Sequence, residues 1–316
     1  MQDPVRSSLA QRVLRVAQRL FVPLALIFLA AFAWQGRDTL LNVLASGKPW
    51  RLLLSALLWS CMPLLAPLFS LIVFRALGQP FSYLQLAAIH IGNLPARYIP
   101  GGIWHTVGRI AALSKLGASK RDITTVVLLE NALAVGIAFA IGGPLVALYR
   151  GLAGWGLLAA LAGISGLLGV AVLPWLLNHR LASGPRGFSG RAYLACAGSV
   201  AAAWCIGAAA FVIFLTAFSD LQLRASALEA GATYLFAWGM GFIAIFAPQG
   251  IGVFEAVAGD LLSPPGAFKS IAALMLGFRL VILLSDALVW LAYQAMGAGS
   301  RRAGEGNHLS KGRSDG

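Results

Sequence analysis

Only three cysteines, four histidines and 11 acidic residues occur among 316 positions, and each shortage closes off a class of chemistry. Cys61, Cys196 and Cys205 all fall in apolar stretches and form neither a CxxC pair nor a disulfide framework. They read as small packing residues. His90, His105, His179 and His308 are scattered, without an HExxH pattern or a carboxylate cluster, so no metal site can be drawn. A phosphate-binding loop of the Gly-x4-Gly-Lys-Ser/Thr type is missing too, and no nucleophile can be matched with a base. The reading is no enzyme, no metal and no cofactor.

Charge is the scarcest commodity. Charged residues make up 11% of the chain against 59% hydrophobic ones, and the mean hydropathy is +0.80. A soluble domain could not hide that much apolar surface, so the chain reads as an all-α, polytopic membrane bundle. Six apolar stretches suit helices that cross about 30 Å of hydrocarbon: Phe21 to Trp34, Leu52 to Phe74, Ile123 to Tyr149, Trp155 to Leu177, Tyr193 to Phe218 and Phe268 to Tyr293. The first is the shortest.

The net charge of +13 does not point to nucleic acid, because the basic residues gather in loops and tails. With both termini placed in the cytoplasm, 17 Lys and Arg fall inside and six outside, and Arg279 lies within a span. That imbalance is the positive-inside pattern of a multi-pass protein of the cytoplasmic (inner) membrane. Residues 1–20 put Leu9, Val13, Val16 and Leu20 on one helical face and Arg12, Arg15 and Arg19 on another. They read as a basic amphipathic segment or as the basic flank of the first span. A signal peptide ending near Ala31-Phe32-Ala33 is the rival account. Residues 297–316 are rich in Gly, Ser, Arg and Lys and read as a disordered basic cytoplasmic tail.

A short motif occurs twice, Pro100-Gly101-Gly102-Ile103 and Pro248-Gln249-Gly250-Ile251, 148 residues apart. Each copy, the second with Gly252 close behind, breaks an apolar segment, Tyr83 to Leu116 and Thr233 to Leu262. Arms of about 12 to 15 residues reach only about 18 to 22 Å, so each segment reads as a re-entrant hairpin that dips in and returns. The order is then span, span, hairpin, span, given twice, as pseudo-repeats 21–150 and 151–296 of one transmembrane domain, 21–296. Three crossings separate the hairpins and invert the second half, the inverted-repeat plan of many transporters.

Ionisable groups at membrane depth need a partner or a pathway. Arg279 stands about 16 Å into the last span by helical rise, with Asp286 seven residues on. Glu130 lies about 12 Å beyond Asp122, and Glu255 follows the second motif directly. The favoured contact for Arg279 is Glu255 or Glu130, and the plainer reading pairs it with Asp286 or another acid only to lock helices together; sequence does not select the partner. His105 and Arg109 share a helical face and, with Arg97, place donors around the Gly-rich break. An arginine fork and open Gly-Gly amides suit a phosphate. The plainer reading makes Arg97 and Arg109 cytoplasmic anchors, and Tyr98 and Trp104 interfacial aromatics.

Tyr98-Ile-Pro-Gly-Gly-Ile-Trp-His105, Arg109, Glu130, Pro248-Gln-Gly-Ile-Gly-Val-Phe-Glu255 and the Arg279 of Gly-Phe-Arg-Leu together resemble the flippase-like membrane family. That family includes the transmembrane region of lysylphosphatidylglycerol synthetases, and the resemblance spans roughly residues 10 to 296. It implies re-entrant helices and, in the synthetase members, movement of an aminoacylated phospholipid between leaflets. No aminoacyl-transfer domain follows here, so the expectation is a stand-alone member that moves a lipid without making it. The expected pathway residues are Arg97, Tyr98, Pro100, Gly101, Gly102, His105, Arg109, Glu130, Pro248, Gly250, Gly252, Glu255 and Arg279. The expected partners are membrane lipids, anionic phospholipids or lipid-linked precursors. A small-solute or ion permease, or a scaffold for a lipid-modifying enzyme, are the alternatives.

Overall fold

The computed structural model describes residues 34, 37–99, 103–181, 188–218, 225–244, 250–264 and 267–311. Among them every regular element is helical, and five helices are long and apolar enough to cross a membrane: Pro49–Ala76, Lys120–Arg150, Trp155–His179, Gly190–Thr216 and Ser270–Met296. The chain is a helical, multi-pass membrane protein. These helices lie where five of the six spans are expected, and the remaining stretch, Phe21 to Trp34, lies outside the described residues but for Trp34. Residues 1–20 lie outside them as well.

In chain order the helices are α1 (Arg37–Ser46), α2 (Pro49–Ser60), α3 (Met62–Ala76), α4 (Tyr83–Gly92), a 3-10 turn (Leu94–Tyr98), α5 (Trp104–Lys115), α6 (Lys120–Arg150), α7 (Trp155–Leu176), α8 (Gly190–Thr216), α9 (Ala227–Ile243), α10 (Val253–Leu262) and α11 (Phe268–Lys311). Helix α1 falls in a stretch whose hydropathy signals only a loop. The helical backbone of α11 continues through Lys311, into the stretch read as a disordered tail; extending a formed helix requires no new nucleation. Residues 312–316 lie outside the described residues.

Helix starts follow local chemistry. Ser82 accepts a hydrogen bond from the Gln85 amide while the Gln85 side chain accepts from the Ser82 amide, a reciprocal capping box that opens α4. Ser119, Ser189 and Ser226 accept in the same way from Asp122, Ala192 and Glu229 to open α6, α8 and α9. The cap at Ser226 starts the first arm of the second broken segment at Ala227, earlier than its apolar run suggests.

Both expected helix–break–helix units are present. The first is α4, the 3-10 turn and α5; the second is α9, a break and α10. Pro100, Gly101, Gly102 and Pro248 lie outside the described residues. At the second break Gly250 and Gly252 have φ of +65° and +88°, and a Cβ at Gly250 would lie 2.6 Å from the Gly241 Cα. Glycine is thus needed twice over at 250, for its left-handed backbone and for the contact between arms. Three of the five long helices lie between the two units.

The last span is the centre of the bundle: 67% of its apolar window is buried, against 22% for Trp155–His179. Its inner face joins an aromatic core in which Phe278 meets Trp59, Phe211, Phe214 and Tyr234 edge-on or tilted. Helix α7 sits at the periphery, where its exposed leucines suit lipid. It approaches α6 closely because Gly143 and Gly163 face each other; a Cβ at either would collide with the opposing helix.

Candidate functional site

Six ionisable side chains from the two broken units and the spans that pack on them form three ion pairs. In the first unit Arg109 of α5 grips Glu130 of α6 with both ends of its fork, Nη1 to Oε1 at 3.1 Å and Nη2 to Oε2 at 2.5 Å. Bidentate pairing fixes both planes and uses both Nη groups. His105, one turn before Arg109, lies with Nε2 3.4 Å from Arg109 Nη1. Arginine has only donors, so a hydrogen bond here requires this ring nitrogen to accept.

In the second unit the polarity is reversed. Arg279 of α11 donates from Nε to Glu255 Oε1 of α10 at 2.7 Å. Glu255 Oε2 accepts from the Gly252 amide at 2.6 Å, so one carboxylate caps α10 and neutralises the arginine. The Arg279 guanidinium lies 4.9 Å from the Trp238 ring centroid and 5.0 Å from that of Phe254. One ring comes from each arm, so the last span inserts its charge between the two arms of the second unit. Such cation–π contacts are worth about 2 kcal/mol when desolvated.

The third pair joins the two halves. Asp286 of α11 is 1% exposed and accepts three hydrogen bonds: from Arg97 Nη1 at 3.0 Å, from the Tyr98 hydroxyl at 2.8 Å and from Trp59 Nε1 at 3.2 Å. All three donors belong to the first half and the acceptor to the second. The clusters are also mutually close. Glu130 lies within electrostatic reach of Arg97, and Tyr98 within that of Arg279. His90 is buried beside this group, with Nε2 2.9 Å from Ser70 Oγ.

Two of the plainer sequence expectations are corrected by this geometry, and an open choice is resolved. Arg97 and Arg109 are not interface anchors: Arg109 is 2% exposed, and each arginine faces a carboxylate inside the bundle. Tyr98 is not an interfacial aromatic, because its hydroxyl turns inward to Asp286; Trp104 is exposed. Of the three acids open to Arg279, Glu255 takes it. Asp286 is taken instead by Arg97, Tyr98 and Trp59.

Asp286, Trp59, Tyr234 and Trp238 belong to the site but are missing from the residues expected from sequence. The burial of an acid in an apolar span signalled Asp286, but the same-face spacing drew it towards Arg279. Nothing in the sequence distinguishes Trp59 or Trp238 from other membrane aromatics. Compared with family models and with curated proteins, the chain matches none.

What the arrangement can do follows from its balance. Three guanidinium groups meet three carboxylates in a low-dielectric interior, where removing one partner leaves an uncompensated charge costing about 3–5 kcal/mol.

Proposed function

We propose that this chain is a lipid flippase or lipid transporter that moves a phosphate-bearing lipid headgroup between the leaflets of the cytoplasmic membrane. The observation that carries the reading is the convergence of three buried arginine–carboxylate pairs on two helix–break–helix units. The units are taken as re-entrant hairpins in inverted halves, with both termini cytoplasmic. Non-helical backbone at membrane depth needs protein or a polar cavity around it, and the breaks would supply the walls of such a cavity. A phosphate would draw on Arg97, Arg109 and Arg279 in turn as the pairs open, with His105 beside Arg109 as a further polar contact, while Glu130 and Glu255 balance the arginines. The sequence resemblance to flippase-like proteins supports the same reading.

Leaflet exchange of fluorescent phospholipids in proteoliposomes, read by dithionite protection, tests it. Wild type should exchange lipid above protein-free vesicles, and Arg279→Gln at matched reconstitution should lose that exchange. Wild type no faster than empty vesicles would overturn the proposal.

A second reading has one observation in its favour: each arginine is already matched by an acid, as in pairs that serve only to lock helices. The protein would then act as a scaffold for a lipid-modifying enzyme. Under that reading folded Arg279→Gln protein keeps its partner and shows no exchange defect, because wild type has no exchange to lose.

A further inference from the structure

The same site constrains the net charge of what it accepts, and this inference rests on the lipid-transport reading above. Arg97, Arg109 and Arg279 are balanced one for one by Asp286, Glu130 and Glu255. In sequence, residues 100–102 and 245–249 contain no charged residue that could tip this balance. A headgroup carrying one net negative charge would leave the buried site unbalanced by one charge, a costly state where water is scarce.

The hydrogen-bonding balance differs from the charge balance. Among the described residues the buried Arg109 Nε and Trp238 Nε1 have no hydrogen-bond partner and both can donate; the Tyr234 hydroxyl, also unpartnered, lies against Gly207 of α8. Tyr234 is 0% exposed and Arg109 2%. No buried carboxylate or amide oxygen in the described side chains is left unpartnered. Unspent donors beside a neutral charge sum call for a ligand rich in acceptor oxygens yet carrying no net charge.

Opening a pair has a further consequence. When phosphoryl oxygens take an arginine, its former carboxylate is stranded in the interior. The relief nearest at hand is a cation carried on the same headgroup. A primary ammonium group supplies both the charge and the hydrogen-bond donors that Glu130, Glu255 or Asp286 would lose. We infer that the site selects a zwitterionic headgroup, a phosphodiester bearing a primary amine of the ethanolamine type, over anionic phospholipids, the headgroup replacing an internal ion pair partner for partner.

The test compares two acyl-labelled fluorescent lipids that differ only in headgroup, ethanolamine or glycerol, in phosphatidylcholine vesicles containing the full chain. Ethanolamine lipid should exchange about tenfold faster, since an unpaired buried charge is the element that rejects the competitor. Glu130→Gln leaves the site with one excess positive charge and should move the ratio towards the glycerol lipid by about tenfold. Asp286→Asn, which removes a different negative charge, should move it the same way if Glu130→Gln does not reconstitute. Because both lipids are read in the same vesicles, protein yield cancels from the ratio. Glycerol lipid exchanging as fast as ethanolamine lipid in wild type would overturn the inference and leave lipid transport standing. Glycerol-lipid exchange that rises to match on acidification would also overturn it, since a proton would then be the balancing charge. Exchange of neither lipid above empty vesicles removes the transport reading and this inference together.

Discussion

The two broken units solve one problem with opposite signs. In the first half the arm after the break carries the arginine, Arg109, and the following span carries the acid, Glu130, 21 residues later. In the second half the arm carries the acid, Glu255, and the span carries the arginine, Arg279, 24 residues later. The architecture requires a neutral pair between arm and span but not a particular polarity. The detail differs as well. Arg109 holds Glu130 with two bonds, whereas Glu255 divides its oxygens between Arg279 and the amide of Gly252, and Arg279 gains two aromatic rings in compensation. The first pair is specified by a fork, the second by a helix start and an aromatic clamp.

Charge reversal is the strongest way to break that comparison. Glu130→Arg and Arg279→Glu should each lower stability by about 3–5 kcal/mol, because each sets two like charges against one another in the interior. Thermal unfolding in detergent, followed by size-exclusion of the fluorescent fusion, would read the loss. Reversing both partners should restore most of it in the first half, with Arg109→Glu added to Glu130→Arg. Recovery should be smaller in the second half, since an arginine at 255 cannot accept the Gly252 amide. Equal recovery in both halves would show that the cap contributes nothing.

A smaller effect is expected at the pair that joins the halves. Asp286→Asn keeps one acceptor oxygen, which can serve Trp59 or Tyr98 but not both since they bond different carboxylate oxygens, and removes the charge that faces Arg97. Because the Arg97 side chain is 27% exposed, the loss should be about 1.5–3 kcal/mol, the range for hydrogen bonds to charged groups. Adding Arg97→Gln should return part of that loss, a coupling that a double-mutant cycle measures directly. Simple additivity of the two changes would mean that Arg97 and Asp286 do not depend on each other.

The smallest effect separates the clamps. Trp238→Leu keeps apolar volume but removes one ring from Arg279, and should destabilise by about 0.5–2 kcal/mol. In an Arg279→Gln background the same change should have little further effect, because the cation is already gone. A full effect in that background would assign Trp238 to core packing alone.

Much of this molecule was legible before its structure. Apolar runs of about 20 residues specify crossing helices because backbone groups in hydrocarbon must be satisfied within the segment. The five long helices fall where those runs are. Pro and Gly at the paired motifs marked the two breaks because such residues interrupt helical hydrogen bonding or permit left-handed backbone, and Gly250 shows the second case directly. The span Phe21 to Trp34 is a reading from hydropathy alone.

The charged residues mark the limit of that legibility. Scarcity and burial by themselves determined that Arg279, Glu130, Glu255 and Asp286 must each find a partner, since an isolated charge in an apolar interior is too costly to leave unmatched. Which partner each one took was decided only by tertiary structure. Pairing requires side-chain atoms within about 4 Å, and that distance depends on how arms and spans lie against one another across 21, 24 and 189 residues of chain. Sequence spacing reports reach along one helix; the ion pairs of this site are all made between elements.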